Sequence, residues 1–579
     1  MRFSVLALDY DGTIARDGIL NSEVRTAITE ARATGIVVII VSGRILSDLK
    51  QVAGNLQFVD AVVAENGAVL AFPSGRSRLI GHPPPPFFVE ELRRRGIEYM
   101  AGQCVVEADA SSAPRVLAVI RELELPLVLL FNRSRLMVLP QAISKATGLR
   151  EVLNAFRLSV HNAIAIGDAE NDHELLGVCE VGVAVSWGSR ALQKEAEEVV
   201  QGDGPSAVAA YIRQAVKKKT LPPDHLGRRQ IMLGVREDGS PLSLAIRGRN
   251  GLLAGDPQSG KSWITGLFCE QLILQGYCVC VIDPEGDYVE LEALPGVVAF
   301  GGDGPPPTLR DLSEALRHPD RSVVVDLSHV PYNEKVDYLN SLLPMLASLR
   351  QTTGLPHRIV VDEAHYFIHA PNAQQLLDLN SAAYTLVTYR VSELHPELRK
   401  ALDTVMVKRT TDPHEVRALL AMYGDKNVEA EWETVLGGLA DNEAILLPGI
   451  GEVGGKWQKF KLLPRLTPHV RHRAKYLDVP IAEGKEFVFT DNGKPVETPA
   501  RTLKELVALM PSSPPEVLDG HARRGDFSQW IAEVFHDHPL ASDVRKVEQR
   551  YRLGHIRDLY PALAETIQER YELSPDIMR

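Results

Sequence analysis

Alternating aliphatic strands and amphipathic helices predict an α/β protein with parallel sheets, divided into more than one domain. Three observations carry this expectation. Short aliphatic runs, at residues 3–8, 36–41 and 163–166, alternate with helical stretches and end on polar residues, as strands do when their carboxyl ends build a site. A glycine-bounded loop at residues 255–262 separates an apolar run from an amphipathic one. The 579 residues exceed what one hydrophobic core supports, so two to four domains are expected.

The first strand, residues 3–8, ends on Asp9-Tyr10-Asp11-Gly12-Thr13. A helix over residues 22–34, N-capped by Asn21 and stopped by Gly35, leads to the strand at 36–41, which ends on Ser42-Gly43-Arg44. The strand at 163–166 ends on Gly167-Asp168-Ala169-Glu170-Asn171-Asp172. Two aspartates spaced two apart at a strand end allow one to attack a phosphoryl group while the other handles the leaving-group proton. Carboxylates this dense repel unless a hard cation sits among them, which implies Mg²⁺. Ser42 and a lysine can hold the remaining phosphoryl oxygens.

Asp9-x-Asp11-Gly12-Thr13, Ser42, Lys145 ahead of Gly148, and Gly167-Asp168-x-x-Asn171-Asp172 together resemble the four motifs of haloacid-dehalogenase-like (HAD) phosphatases. The resemblance covers residues 1–215 and implies a Rossmann-like fold. It implies Asp9 as the nucleophile that forms an aspartyl-phosphate and Asp11 as the general acid/base. Ser42 and Lys145 would bind the phosphoryl group; Asp9, Asp11, Asp168 and Asp172 make up the implied metal set, with Asn171 supporting the metal loop. The stretch 82–139 opens on prolines 83–86 and holds a helix near 115–122 and strands at 128–131 and 136–139. It resembles the α/β cap of sugar-phosphate and phosphoglycolate phosphatases, and its modest size implies a small substrate or a chain end. Glu65-Asn66-Gly67, after a strand at 61–64, is also similar to a segment of that group, and it reads first as a structural turn because Asn-Gly is a ready one.

Residues 216–226, with Lys217-Lys218-Lys219 and Pro222-Pro223, read as a linker in which the lysines form a solvated helix end. In the loop that follows, Gly255-Asp256-Pro257-Gln258-Ser259-Gly260-Lys261-Ser262 has the form of a phosphate-binding P-loop. Backbone N–H groups from Gly255 through Gln258, Ser259 and Gly260 would wrap phosphates; Lys261 would reach the β/γ-phosphates and Ser262 would ligate Mg²⁺. A strand at 277–282 ends on Asp283-Pro284-Glu285-Gly286-Asp287-Tyr288, and another at 358–361 ends on Asp362-Glu363-Ala364-His365. Asp362 would hold Mg²⁺ and Glu363 would polarise the attacking water.

This order of motifs looks like the HerA/FtsK group of ring-forming DNA translocases across residues 225–465. That resemblance implies a RecA-like ATPase, ATP at subunit interfaces of a hexameric homo-oligomer, and DNA in a ring pore. Group members carry a Thr-Gln-Arg strand end; here the stretch is Thr388-Tyr389-Arg390, so tyrosine stands where glutamine senses the γ-phosphate. Arg409 is the candidate arginine finger.

Residues 466–579 read as a small, mainly helical accessory domain, and His521, His536 and His538 lack metal-ligand spacing. The domain boundaries expected are therefore 1–215 (cap 82–139), 216–226, 227–465 and 466–579. Net charge of −12 argues against a general nucleic-acid coat protein but leaves a locally basic pore open. The longest aliphatic run, six residues at 36–41, is too short for a bilayer. No leader is recognised, and five scattered cysteines suit a reducing cytoplasm. Three functions from different classes follow: a phosphatase joined to a DNA motor, a small-molecule phosphatase with a regulatory ATP-binding domain, and an ATP-gated scaffold.

Overall fold

The computed structural model describes residues 1–132, 134–222, 227–302, 304–366, 376–378, 383–423, 429–447, 457–467, 481, 485–491, 494–496, 499–535 and 538–571. Residues 223–226 of the expected linker lie outside this set, as do Asn492, Gly493 and His536. The chain forms two compact units, Met1–Pro284 with Tyr288–Pro468, and Glu285–Asp287 with His469–Arg579. Among the described residues, no helix is long and apolar enough to cross a membrane.

The N-terminal part of the first unit begins with β1 (Val5–Asp9), α1 (Ser22–Ala33), β2 (Val37–Val41) and β3 (Ala61–Ala64). Asn21 caps α1 by accepting N–H bonds from Glu23 and Val24, an interaction worth about 1 kcal/mol. The hairpin strands β4 (Val69–Ala71) and β5 (Ser77–Leu79) follow. The chain then leaves this sheet for α2 (Pro86–Arg94), β6 (Tyr99–Ala101), β7 (Val106–Asp109), α3 (Ala113–Glu122), β8 (Leu127–Asn132) and β9 (Arg135–Pro140). These strands make a separate antiparallel sheet, β8-β9-β7-β6, with its own small core around Phe88, Leu92, Val116 and Val138. The chain returns through α4 (Lys145–Phe156), β10 (Ala163–Gly167), α5 (His173–Val178), β11 (Val181–Val185), β12 (Glu198–Val200) and α6 (Pro205–Lys218). Among the described residues the main sheet runs β12-β11-β10-β1-β2-β3-β4-β5, parallel from β12 to β3. Its central strands are buried on both faces, which is why they read as continuous aliphatic runs. Lys217 and Lys218 lie in the last turn of α6, where cations favour the helix dipole.

The rest of the unit is built on a second sheet. Its elements are β13 (Gln230–Arg236), β14 (Pro241–Ala245), β15 (Gly251–Ala254), α7 (Lys261–Leu274), β16 (Val279–Asp283), β17 (Val297–Gly301), β18 (Ser322–Asp326) and α8 (Tyr332–Thr353). They continue with β19 (Arg358–Val361), β20 (Tyr384–Thr388), β21 (Thr404–Val407), β22 (Glu443–Leu446) and β23 (Gln458–Leu462). The strand order is β14-β13-β23-β22-β21-β15-β20-β19-β16-β18-β17 among the described residues. The seven strands from β21 to β17 are parallel, and the remaining four pair antiparallel. Cys278 and Cys280 face one apolar cluster, as strand alternation requires.

The two sheets meet at the amino ends of their strands. His161, just before β10, stacks on Tyr277, just before β16, with ring centroids 3.7 Å apart. Its Nδ1 lies 2.9 Å from Glu180 Oε2 and its Nε2 lies 3.0 Å from the Gln275 carbonyl at the end of α7. The Tyr277 hydroxyl donates to the same Glu180 oxygen at 2.8 Å. Burial alone would raise the Glu180 carboxyl; the bonds from His161 and Tyr277 and the nearby Arg247 outweigh it and lower it. His357 Nδ1 accepts from the Cys278 N–H at 2.8 Å, so its Nε2 carries the proton and donates to Asn162 Oδ1 at 3.2 Å. Arg247 Nη2 reaches Glu197 at 2.7 Å, and Arg229 Nη2 donates to the Gly177 carbonyl at 2.8 Å near the end of α5. This join is buried and hydrogen-bonded, so the two sheets form one body rather than beads on a linker.

The second unit contains α9 (Leu503–Leu509), α10 (Pro515–Arg524), α11 (Asp526–Trp530), α12 (His538–Arg552) and α13 (Leu559–Tyr571) around one apolar cluster. Phe487 and Ala500 form an isolated bridge, followed by a two-residue strand at Thr490–Asp491. His521 is a core residue: Nε2 accepts from the Thr490 N–H at 3.0 Å and Nδ1 pairs with Asp526 at 2.6 Å.

Candidate functional site

Three neighbouring strands of the first sheet deliver the acidic and polar residues to one place. Asp9 ends β1, Ser42 follows β2, and Asp168 follows β10. Carboxylate oxygens of Asp9, Asp168 and Asp172 all lie within 4.8 Å of one another, and all three residues are buried. Lys145, the first residue of α4, points into this cluster: Nζ is 2.5 Å from Asp9 Oδ1 and 2.6 Å from Asp172 Oδ1. Burial, then the Asp172 charge, push the Asp9 carboxyl well above the usual range, against the opposing pull of Lys145. Burial alone would lower the Lys145 ammonium, but Asp172 and Asp9 raise it, so it stays charged. Asp172 Oδ2 accepts the Asp168 and Ala169 N–H groups at 2.9 and 3.0 Å and so shapes the loop that carries Asp168. A Cβ on Gly167 would sit 2.6 Å from the Asp172 carboxyl carbon, which explains the glycine.

Ser42 is buried, and its Oγ accepts the Arg44 N–H at 3.2 Å. Asp11 is more open and is gripped by Arg44, whose Nε and Nη2 donate to its two oxygens at 2.5 and 2.7 Å. Arg44 Nη1 donates to Asp48 at 2.7 Å. The Asn171 amide is buried with neither its nitrogen nor its oxygen hydrogen-bonded, and it faces Gly43. A crevice of about 240 Å³ opens over these groups. Its far wall is the cap sheet, with Glu107, Asn132, Ser134, Arg135 and Met137. Arg135 Nη1 pairs with Glu107 across β9 and β7. Converging oxygen ligands, a buried cation and an orphaned amide suit a hard divalent ion and a phosphoryl group.

The sequence singled out Asp9, Asp11, Ser42, Lys145, Asp168 and Asp172; the structure lines the crevice with Asp9, Asp11, Ser42 and Asp168 and sets the buried Lys145 and Asp172 against Asp9. It missed the grip of Arg44 and Asp48 on Asp11, although Arg44 ends the Ser42-Gly43-Arg44 motif. The cap residues were also missed, because strand alternation alone does not say which cap face meets the crevice.

The second cluster of sequence-marked residues lies at the carboxyl ends of β15, β20 and β19. The loop after β15 holds Gly255, Gln258 and Gly260 at φ +154°, +63° and +93°. Lys261 Nζ donates back to the Gly255 and Asp256 carbonyls, each at 3.0 Å, and lies 5.8 Å from the Tyr389 ring centroid. Ser259, within the loop, is buried, and Ser262 is in the first turn of α7. Thr388 is aligned with Ala254 in the sheet, and its Oγ1 lies 3.0 Å from His365 Nδ1. Asp362 and Glu363 follow β19, both buried, with Glu363 at φ +44°. Arg390 Nη1 pairs with Glu393 at 2.5 Å, and Arg409 Nη1 pairs with Asp441 of the same chain at 3.3 Å. Tyr389 packs edge-on to His365 with centroids 4.5 Å apart. Lys408 was not foreseen. Its stem fills the space left by the loop glycines, and Cβ atoms on Gly255 or Gly260 would come within 2.6 or 3.3 Å of it. Burial lowers its amine to about 8.

A family model of haloacid dehalogenase-like hydrolases matches residues 6–79 and 120–212. The phosphoglycolate phosphatase of Methanoculleus marisnigri is 30% identical over 196 residues, covering 31% of this chain and 82% of that protein. That of Methanosarcina acetivorans is 24% identical over 220 residues, covering 35% and 94%. A 5-amino-6-(5-phospho-D-ribitylamino)uracil phosphatase of Bacillus subtilis is 23% identical over 237 residues, covering 37% and 95%. Among solved structures, a haloacid dehalogenase-like hydrolase from Bacteroides thetaiotaomicron is 19% identical, covering 37% of this chain and 99% of that one, at TM-score 0.33.

Proposed function

This chain belongs to the haloacid dehalogenase-like hydrolases through its N-terminal region, and we propose that this region is a phosphomonoester hydrolase acting on small phosphoesters. The observation that carries the reading is the Lys145 ammonium set between Asp9 and Asp172 beneath a crevice of about 240 Å³. Asp9 attacks phosphorus, the ester P–O bond breaks, and Asp11 gives the leaving oxygen its proton. Water then attacks the aspartyl-phosphate, Asp11 takes a proton from it, and inorganic phosphate departs. Lys145 and Ser42 hold phosphoryl oxygens, and Asn171 supplies an amide to the same crevice. Asp9, Asp168 and Asp172 would hold Mg²⁺, which when bound supplies charge neutralisation; the Asp11 carboxylate, expected in that set, is instead held by Arg44 and stands outside the cluster. The phosphoglycolate phosphatases among the relatives make 2-phosphoglycolate the first substrate to test, with sugar phosphates next. A screen of such phosphoesters, with Asp9→Asn as control, tests the reading; hydrolysis that survives in Asp9→Asn rejects it.

For residues 227–465 we propose an ATP-binding P-loop domain, with residues 1–215 as the phosphatase, 82–139 its cap, 216–226 a linker and 466–579 an accessory domain. The strand order supports this: β15 lies between β21 and β20, and Asp362 comes from β19 beside β20. Lys261 and Ser262 would meet phosphates and Mg²⁺, Asp362 the Mg²⁺, Glu363 the attacking water, and Thr388 and Arg390 the γ-phosphate side. The resemblance to HerA/FtsK translocases extends this to a hexameric DNA motor, with Arg409 acting across a subunit interface. Tyr389 beside Lys261 favours the alternative, a regulatory or scaffolding ATP site. ATP turnover measured with and without duplex and single-stranded DNA at defined salt separates them. Turnover that is flat across DNA forms rejects the motor.

A further inference from the structure

The turn Glu65-Asn66-Gly67 touches three parts of the phosphatase site at once. Glu65 and Asn66 stand at φ +52° and +53°, backbone that side chains rarely adopt, and Gly67 at +109°. The strain aims their groups. The Glu65 N–H donates to the Arg44 carbonyl at 2.9 Å and the Asn66 N–H to the Ser42 carbonyl at 3.0 Å. Gly67 lies against the start of α4, where a Cβ would sit 1.9 Å from the Ser144 carbonyl oxygen and 3.2 Å from the Lys145 nitrogen. The turn therefore fixes the loop that carries Ser42 and Arg44 relative to the helix that carries Lys145.

The Glu65 side chain reaches the other way, into the cap. It is fully buried, and its carboxylate accepts three successive backbone N–H groups: Gln103 on Oε1 at 3.0 Å, then Cys104 and Val105 on Oε2 at 2.8 and 3.2 Å. These donors make a nest of the kind that holds an anion. Their loop joins β6 to β7, and β7 carries Glu107, two residues on, into the crevice wall. Glu107 pairs in register with Met137 of β9, whose sulfur lies 3.5 Å from the Cβ position of Gly43. Gly102 precedes the nest, and a Cβ there would fall 2.6 Å from the Glu65 carboxyl carbon.

We propose that Glu65 is a positioning residue that latches the cap loop 103–105 to the Ser42–Arg44 loop and so sets the width of the substrate crevice. The proposal rests on the phosphatase reading above. Charge-assisted bonds from three consecutive amides hold the loop as one piece, which a single neutral bond would not. The latch acts on substrate placement: it fixes Glu107 and Arg135 against Asp11 and Arg44 without touching the phosphoryl group. A misplacement of about 1 Å in such a frame costs up to roughly a hundredfold in rate.

The test uses the full chain with 2-phosphoglycolate as probe, and Glu65→Gln, Gly102→Ala and the double variant. Glu65→Gln keeps the shape but presents an amide to N–H donors; Gly102→Ala pushes the loop off an intact Glu65. Each single variant is expected to raise KM and lower kcat/KM by about tenfold to a hundredfold. Hydrogen exchange at the amides of 103–105 should quicken at least about tenfold, with circular dichroism unchanged. The double variant should lose no more than the worse single one, because both break one contact. Effects that multiply, a fall in kcat with KM unchanged, or unchanged exchange at 103–105 would overturn the proposal. If the wild-type chain hydrolyses no phosphoester, the phosphatase reading fails, while the exchange measurement still judges the latch.

Discussion

The Lys145 ammonium lies 2.5 Å from the Asp9 carboxylate, and both side chains are buried. With Asp172 at 2.6 Å on its other side, Lys145 neutralises a cluster that would otherwise repel itself. Replacing it by methionine leaves three buried carboxylates facing one another. Lys145→Met should therefore abolish phosphatase activity and also destabilise the first unit by about 3–5 kcal/mol in the absence of divalent ions. Urea denaturation with and without Mg²⁺ checks this: added Mg²⁺ should recover more stability in the variant than in the wild type.

Arg44 donates two parallel bonds to Asp11, a geometry that lysine cannot copy. Arg44→Lys keeps the charge and loses the fork, so Asp11 is no longer held where it meets the leaving oxygen. We expect kcat to fall by about tenfold to a hundredfold, within the range that positioned acid–base groups contribute. Steady-state kinetics on 2-phosphoglycolate measure it; an unchanged kcat would remove Arg44 from the account.

The base-to-base join of the two sheets puts Asp9 and Lys261 at opposite ends of one body. About 20 Å of α7 and about 17 Å of β10 lie between them, taken from the rise per residue of helix and strand. Lys261→Ala should accordingly abolish the proposed nucleotide binding, read by titration with ATP, and leave phosphatase kcat within about twofold.

Glu180 serves both sheets, accepting from Tyr277 at 2.8 Å and pairing with His161 at 2.9 Å. Glu180→Ala leaves His161 and Arg247 buried without that carboxylate, at a cost of about 3–5 kcal/mol. Calorimetry should show the two sheets melting together in the wild type and as separate transitions in the variant.

Lys408 gives a pH test. Burial lowers its amine to about 8, whereas an unfolded lysine titrates near about 10.4. Between these values the unfolded chain binds the extra proton, so this group makes stability rise with pH across that window. Below pH about 8 the charge is buried and the gain is absent. Lys408→Met lacks this term. Melting temperatures at pH on either side of the window should show the wild type gaining relative to the variant as pH rises.

The sites were legible where chemistry is local in sequence. Asp9, Ser42 and Asp168 stand at strand ends, and strand ends are visible as aliphatic runs that stop on polar residues. Lys145 was found only through the family resemblance, because nothing in its own neighbourhood says that it points at Asp9. Arg44 and Lys408 were passed over for the same reason: their partners, Asp11 and the glycines of the 255–262 loop, are 33 and 148 or more residues away in the chain. Glu65-Asn66-Gly67, though similar to a segment of the capped phosphatases, reads first as a structural turn, since Asn-Gly is enough to predict one. The three amides that its glutamate receives come from a loop nearly forty residues later. The interface at His161 was invisible: a lone histidine before a strand carries no signal until Tyr277 and Gln275 are folded against it.

The central claim is that Asp9 forms the covalent intermediate. Acid quench of the full chain during turnover of 2-phosphoglycolate with Mg²⁺, followed by mass spectrometry, tests it most directly. One phosphoryl group is expected on the peptide that contains Asp9, and neither label nor product in Asp9→Asn. Turnover with no label on that peptide, or an active Asp9→Asn chain, would contradict it.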